Sequence, residues 1–599
     1  MEHFIDHNKV QPYVVKMAHW FIEIINTKLN FNIYLSAIFD IILIIIYQMN
    51  QILLPLLVSV FSLNFSSCSL NTKASSSDLD KPKLVVSIVV DQMRFDNLDK
   101  YKESYSNNGF NRLIRDGFNL KNNHFNYVPT VTGPGHASIA TGSTPKTHGI
   151  AGNNWFDKNT QKDVYCTTDL DYENLGGNAY SAKMSPNNLL VNTLGDLNRI
   201  ENDMNSKTIS IAIKDRGSIL MGGKKANAAY WFYGKDKGEW VSSKYYMEEL
   251  PKWVNNFNNS GFVSDYIREW NTLYDINTYK ESRSDDNNFE KSFKGDPSVT
   301  FPYDLNMLKD LNDGYDLLKE TPFGNSLTTD FAIEAISNEK LGKDQFTDVL
   351  TISYSSTDYI GHNFGVDAKE TQDAYLRLDL EIERLLYFLD SYVGKNEYTL
   401  FLTADHGAAK IPAYLNSIGI QSKNVEEGTV KNILKDVLFK SYGSNQLISK
   451  IMNSQIYLNN KTINSLNLNL KSVENTIINT LTQLVFIDKV YTSNEIINGN
   501  FDGGYELLIQ NGYNVQRSGD VIFKLKENVI SYGNKGTTHG SGYSYDTHVP
   551  LIFFGKKIVQ GESDLKTKIT DIAPTIAKLL GLKKMNNSTG EVLSFVIKD

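Results

Sequence analysis

The sequence has 599 residues, 41% of them hydrophobic and only 14 of them proline, which supplies a large core and excludes a disordered chain. A formal net charge of -8 argues against a basic surface that grips nucleic acid by its phosphates. The two cysteines, Cys68 and Cys166, exclude a disulfide framework and a four-thiolate zinc site, so any bound metal has to use Asp, Glu and His.

In chain order, the first element is a leader. Ile33 to Tyr47 is nearly all apolar, Gln48 to Gln51 breaks the run, and Ile52 to Leu63 resumes it. Two readings stand side by side. A secretory signal can begin at Met49, with Cys68 behind Ser66 and Ser67 as a candidate lipid-attachment site, although Phe65 is a poor match for the aliphatic residue such sites carry. Alternatively, Ile33 to Leu63 spans a membrane, at the cost of placing Asp40 and the Gln48 to Gln51 break at bilayer depth. Either way the body is exported, periplasmic or anchored facing outside the cytoplasm. Asn71 to Lys83, rich in Ser, Asp and Lys, reads as a solvated tether. Residues 1–82 are therefore leader and tether, and 83–599 the body.

The body opens on Leu84 to Val90, a continuous apolar, β-branched run that ends on Asp91 and predicts a buried central strand. The same form recurs at Val349 to Tyr354, at Tyr398 to Thr403 just before Asp405, and at Val549 to Phe554. Tyr375, Leu378, Ile382, Leu385 and Leu389 fall at helical spacing, so a strand, an amphipathic helix and a strand follow in order. An α/β sheet of this kind gathers ligands outside the carboxyl ends of its strands, where Asp91, Asp358 and Asp405 fall. Two stretches break the rhythm, about 220–323 and about 408–529. Both read as cap insertions, with the Tyr230 to Tyr233 aromatics as part of the first one's own small core.

Four of the ten histidines stand in short polar phrases: Asp358-Tyr-Ile-Gly-His362, Asp405-His406-Gly, Thr-His539-Gly and Pro-Gly-His136. An Asp and a His four apart share one helical face, and adjacent Asp405 and His406 at a strand end can turn towards one ion. Asp91 taken alone is equally a turn cap. The decisive segment is Thr130-Val-Thr132-Gly-Pro-Gly-His136, followed by His148 and Asn153. Its glycines permit tight turns, and a helix starting after Gly133 aims its first amides at an anion. His136, His148 and His548 read as packing or hydrogen-bonding residues outside the ligand set, and His124 is left unassigned.

On these phrases, and on the closing Thr570 to Thr575, the body from about Lys83 onward resembles the alkaline phosphatase superfamily on its nucleotide pyrophosphatase/phosphodiesterase side. Within it, the sequence looks most like bacterial alkaline phosphatases with a threonine nucleophile. The resemblance implies a central, mostly parallel sheet flanked by helices, with cap insertions. It implies Thr132 as nucleophile, Asn153 as a phosphoryl-oxygen donor, and Lys214 with Arg216 as the pair that suits a monoester. It further implies two zinc ions, one held by Asp91, Asp405 and His406 with Thr132, the other by Asp358, His362 and His539. Phosphate monoesters would then be cleaved through a phosphothreonine, with small phosphorylated metabolites as substrates and a monomer as the working form. The rivals are a diesterase of the same superfamily, a sulfatase, whose Cys/Ser-x-Pro-x-Arg signature is missing, and a tethered binding protein that has lost catalysis.

Overall fold

The computed structural model describes residues 81–178, 183–533 and 535–598, so the leader and Cys68 lie outside the described residues. Ten strands form the central sheet: β1 (Leu84–Val90), β2 (Phe118–Leu120), β3 (Asn174–Leu175), β4 (Thr208–Ala212), β5 (Ala228–Tyr233), β6 (Glu239–Ser243), β7 (Asp348–Tyr354), β8 (Tyr398–Thr403), β9 (Leu551–Gly555) and β10 (Gly561–Ser563). Their order across the sheet is β10-β2-β9-β8-β1-β7-β4-β5-β6-β3. The middle five, β8, β1, β7, β4 and β5, run parallel.

β1, β7 and β8 are buried at every position, as strands covered by helices on both faces must be. Four helices are central to the architecture: α1 (Thr132–Thr141), α2 (Asp215–Gly222), α3 (Ser356–Phe364) and α4 (Lys369–Leu389). α4 carries Tyr375, Leu378, Ile382, Leu385 and Leu389 buried on one side, the periodicity that the sequence shows. Because β1, β4, β7 and β8 are parallel, Asp91, Lys214, Asp358 and Asp405 all follow carboxyl ends at one edge of the sheet.

One feature settles what the sequence reading leaves open, and one differs from that reading. The last apolar run, β9, pairs antiparallel with β8, in register from Thr399 opposite Gly555 to Thr403 opposite Leu551. The Tyr230 to Tyr233 aromatics are not in a cap core. They belong to β5, parallel to β4, with β6 returning antiparallel beside it, because an aromatic run is as well buried between a sheet's helices as in a separate lobe.

The second long insertion has its own four-stranded sheet, Ile448–Met452, Gln455–Leu458, Val521–Leu525 and Ile487–Thr492. Helices Thr429–Tyr442 and Leu470–Thr482 cover it, and Leu434, Ile456, Val473 and Ile477 pack into a separate core. Among the described residues, no helix is long and apolar enough to cross a membrane.

Candidate active site

Thr132 is the first residue of α1, and its extended neighbour Val131 sets the helix start. α1 lies close against the end of β8. A Cβ on Gly135 would stand 2.3 Å from the Asp405 carbonyl oxygen, so only glycine lets helix and loop approach this far. The Gly133 N–H donates to Asn153 Oδ1 at 2.7 Å, which fixes that amide and leaves its NH2 end as donor.

Two cations converge on Thr132 Oγ1: Lys214 Nζ at 3.5 Å and Arg216 Nη2 at 3.4 Å. Lys214 also lies 2.7 Å from Asp91 Oδ2 and 2.5 Å from Asp358 Oδ2. Burial disfavours the Lys214 charge, but Asp358 and Asp91 overcome this and raise its pKa.

The six Asp and His residues meet beside this pair. His406 Nε2 is 3.3 Å from Asp405 Oδ2 and 3.5 Å from Asp91 Oδ1. On the other side, Asp358 Oδ1 is 3.2 Å from His362 Nε2 and 3.5 Å from His539 Nε2. In each histidine the other ring nitrogen is used by a backbone carbonyl: His406 Nδ1 by Gly407 at 2.9 Å, His362 Nδ1 by Thr537 at 2.7 Å, His539 Nδ1 by Thr130 at 2.8 Å. Such a bond puts the proton on Nδ1 and turns the Nε2 lone pair inward.

The electrostatics give a direct test of whether metal ions fit. Burial holds His406 at about 4 and His539 at about 3, so both are neutral at ordinary pH, while burial pushes Asp405 up to about 7. Burial, with Asp405 beside it, raises Asp91 as well. Asp358 goes the other way: His362 and Lys214 outweigh its burial and lower it. Asp91 Oδ1, Asp405 Oδ2 and His406 Nε2 are buried with no hydrogen-bond partner. The lone pairs of the neutral His406 and His539 face carboxylate oxygens, an arrangement that a bound cation relieves, whereas for His362 Asp358 outweighs burial and raises the pKa. The donor set, three carboxylates and three imidazoles, is that of a borderline divalent ion. Two groups already hold their ligand atoms within 4.8 Å of one another, Asp358-His362-His539 and Asp91-Asp358-His406. Asp358 belongs to both groups, while Asp405 reaches the second through His406.

Residues 85–549 match the type I phosphodiesterase / nucleotide pyrophosphatase family. The chain belongs to that family. It is 44% identical over 529 residues to a protein of Myroides odoratus named a calcium-transporting ATPase, covering 88% of this chain and 96% of the relative. It is 40% identical over 520 residues to alkaline phosphatase PafA of Elizabethkingia meningoseptica, covering 86% and 95%. The crystal structure of wild-type PafA superposes with a TM-score of 0.84 at 39% identity, over 86% of this chain and 99% of the other. The family places the protein in the alkaline phosphatase superfamily, on its pyrophosphatase/phosphodiesterase side.

Several residues that contact this cluster are not apparent in the sequence. Gln92 donates through Nε2 to Asp358 Oδ1 at 2.7 Å and through its backbone N–H to Asp405 Oδ1 at 3.1 Å. Its φ of 68° turns it there, and Gly361 makes room: a Cβ on Gly361 would stand 1.9 Å from Gln92 Oε1. Arg216 Nη1 donates to the Tyr165 hydroxyl at 3.2 Å, which donates to Asp215 Oδ1 at 2.5 Å. His136 binds the Thr132 carbonyl and the Ser353 hydroxyl, His148 the Ser138 hydroxyl, and His548 the Lys121 carbonyl. His124 contacts Asn122 and Thr547.

Proposed function

We propose that this chain is a phosphomonoesterase of the alkaline phosphatase type that uses two zinc ions and Thr132 as nucleophile. The observation that carries it is the convergence of Lys214 and Arg216 on Thr132 Oγ1, at 3.5 and 3.4 Å. A monoester dianion carries more charge than a diester, and two cations beside the nucleophile match it, the arginine with a planar fork. Asp91, Asp405 and His406 would hold one zinc with Thr132, and Asp358, His362 and His539 the other. When bound, the ions would supply Lewis acidity to the threonine hydroxyl, the departing oxygen and a water.

The chain's own groups do the rest. Thr132 Oγ1 attacks phosphorus in line and the ester oxygen leaves, giving phosphothreonine and the alcohol. Water then cleaves the phosphothreonine and returns the hydroxyl with inorganic phosphate. Through both steps the Asn153 NH2, Lys214 and Arg216 hold the nonbridging oxygens, where fixed donors contribute more than further covalent chemistry. The natural substrates would be small phosphorylated metabolites met outside the cytoplasm by a monomer, delivered or anchored by the leader.

The test is a panel of phosphate monoesters, phosphate diesters and sulfate esters, with zinc counted in the same sample. About two zinc ions per chain and a strong monoester preference are expected. Equal turnover of monoesters and diesters would move the assignment to the diesterases of this family.

A further inference from the structure

The turn after β1 carries a residue that touches both halves of the ligand cluster. Met93 N–H donates to the Val90 carbonyl at 3.1 Å, closing a turn over Val90, Asp91, Gln92 and Met93. Gln92 holds the third position at a φ of 68°, where glycine or asparagine is the ordinary choice. A longer side chain strains the backbone there, and such strain persists only where the surroundings hold the residue in place. Gln92 is 3% exposed and lies under α3, where the three atoms nearest to a Cβ built on Gly361 all belong to Gln92. Gly361 has no positive φ, so what this glycine provides is room.

β1 lies between β7 and β8, and its turn reaches the residues that follow each of them. Gln92 Nε2 donates to Asp358 Oδ1 at 2.7 Å and lies 3.4 Å from the Asp358 carbonyl oxygen. With two acceptors facing it, this end of the amide is the NH2. The Gln92 backbone N–H donates to Asp405 Oδ1 at 3.1 Å. The other oxygen, Asp405 Oδ2, is buried without a partner and lies 3.3 Å from His406 Nε2. Asp358 Oδ1 in turn faces His362 Nε2 at 3.2 Å and His539 Nε2 at 3.5 Å. One residue thus fixes which oxygen each carboxylate turns towards its imidazoles.

We propose that Gln92 is a positioning residue for both metal sites: its side chain orients Asp358 in one, and its backbone N–H orients Asp405 in the other. The inference rests on the two-zinc reading. A hydrogen bond to a ligating carboxylate holds the ligand in its bound orientation, and losing such a partner costs about 10–100-fold in metal affinity.

The experiment is competition of the metal-free protein with a zinc chelator of known affinity, with zinc counted by mass spectrometry. Gln92→Met keeps the length of the side chain and the backbone N–H and removes only the side-chain donor. It should weaken one of the two zinc ions by at least about tenfold and leave the other nearly unchanged. Gly361→Ala should weaken the same ion by pushing Gln92 away from Asp358. In a Gln92→Gly background, where the added methyl meets no side chain, Gly361→Ala should cost nothing further. Unchanged affinities in Gln92→Met, equal weakening of both ions, or a Gly361→Ala loss that persists beside Gln92→Gly would overturn the role of Gln92 while leaving the two-zinc enzyme intact. A wild type that binds no more than one zinc would overturn the underlying reading instead. Should Gln92→Met not fold, the Gly361→Ala and Gln92→Gly pair carries the same test.

Discussion

The two halves of the ligand cluster differ in how closed they are. Asp91, Asp405 and His406 have side chains at 0% exposure, whereas His362 is 22% exposed and His539 6%. The closed half is built from the ends of β1 and β8 in the middle of the sheet. The open half comes from α3, which follows β7 beside β1, and from the loop carrying His539. Under the proposed mechanism, a closed set suits the group that would stay with the enzyme through every turnover, Thr132. An open set suits the positions through which alcohol leaves and water enters.

The sharpest way to break this contrast is Thr132→Ala. It should lower kcat by at least about a thousandfold, as loss of a covalent nucleophile does, while bound zinc measured by mass spectrometry stays near its wild-type level. Next comes a matched pair. His406→Ala in the closed half should cost roughly a hundredfold or more and resist rescue by excess zinc, whereas His362→Ala in the open half should recover much of its activity in excess zinc. Titration of apoenzyme with zinc, followed by activity, checks both. Equal rescue would mean that burial does not separate the two halves.

Lys214→Ala and Arg216→Ala should then lower kcat/KM for monoesters by roughly a hundredfold and for diesters by under about tenfold, since charge matching is lost only for the dianion. The smallest effect concerns stability. Glu290 is buried with Arg283, whose Nη2 binds both Glu290 Oε1 at 3.0 Å and the Phe364 carbonyl at the end of α3. Burial pushes the Glu290 carboxyl up to about 7 from 4.5, against Asn287 and Arg283. The folded state therefore binds this proton more tightly than the unfolded one, so its contribution is fully present below about 4.5 and is lost as pH rises through about 7. Relative to Glu290→Gln, the wild type should gain roughly 1–3 kcal/mol between pH 8 and 5 in denaturant titrations. Parallel pH profiles for the two proteins would remove Glu290 as the cause.

Much of this site is legible in the sequence, for definite reasons. Apolar runs that stop on Asp91 or just before Asp405 announce both the strand and what lies at its end, because a buried parallel strand leaves chemistry only at its tips. Thr132 is visible through the glycines that its tight helix start needs. The direction of β9 is not legible, since an apolar run reads the same parallel or antiparallel. Neither is Gln92: its contacts to Asp358 and Asp405 span 266 and 313 residues of chain and depend on one positive φ. Tyr165 and Asp215 escape for a related reason, because a hydroxyl and a carboxylate become a brace for Arg216 only once the end of β4 and the hairpin of Asn154–Asp157 and Lys162–Tyr165 are side by side.

The second insertion leaves the sheet just after His406 and returns just before His539, and its two ends are stitched together. Ala409 N–H donates to the Thr538 carbonyl at 3.2 Å, and Thr537 Oγ1 donates to the Ala409 carbonyl at 2.8 Å. The chain therefore enters and exits this lobe through a single narrow neck, and the lobe folds around a core of its own. The lobe is also tied to the body elsewhere, since Arg517 donates to the Gly149 and Asn188 carbonyls and Asn511 to the Asn126 carbonyl. A lobe exchanged at this neck would therefore have to rebuild those bonds as well.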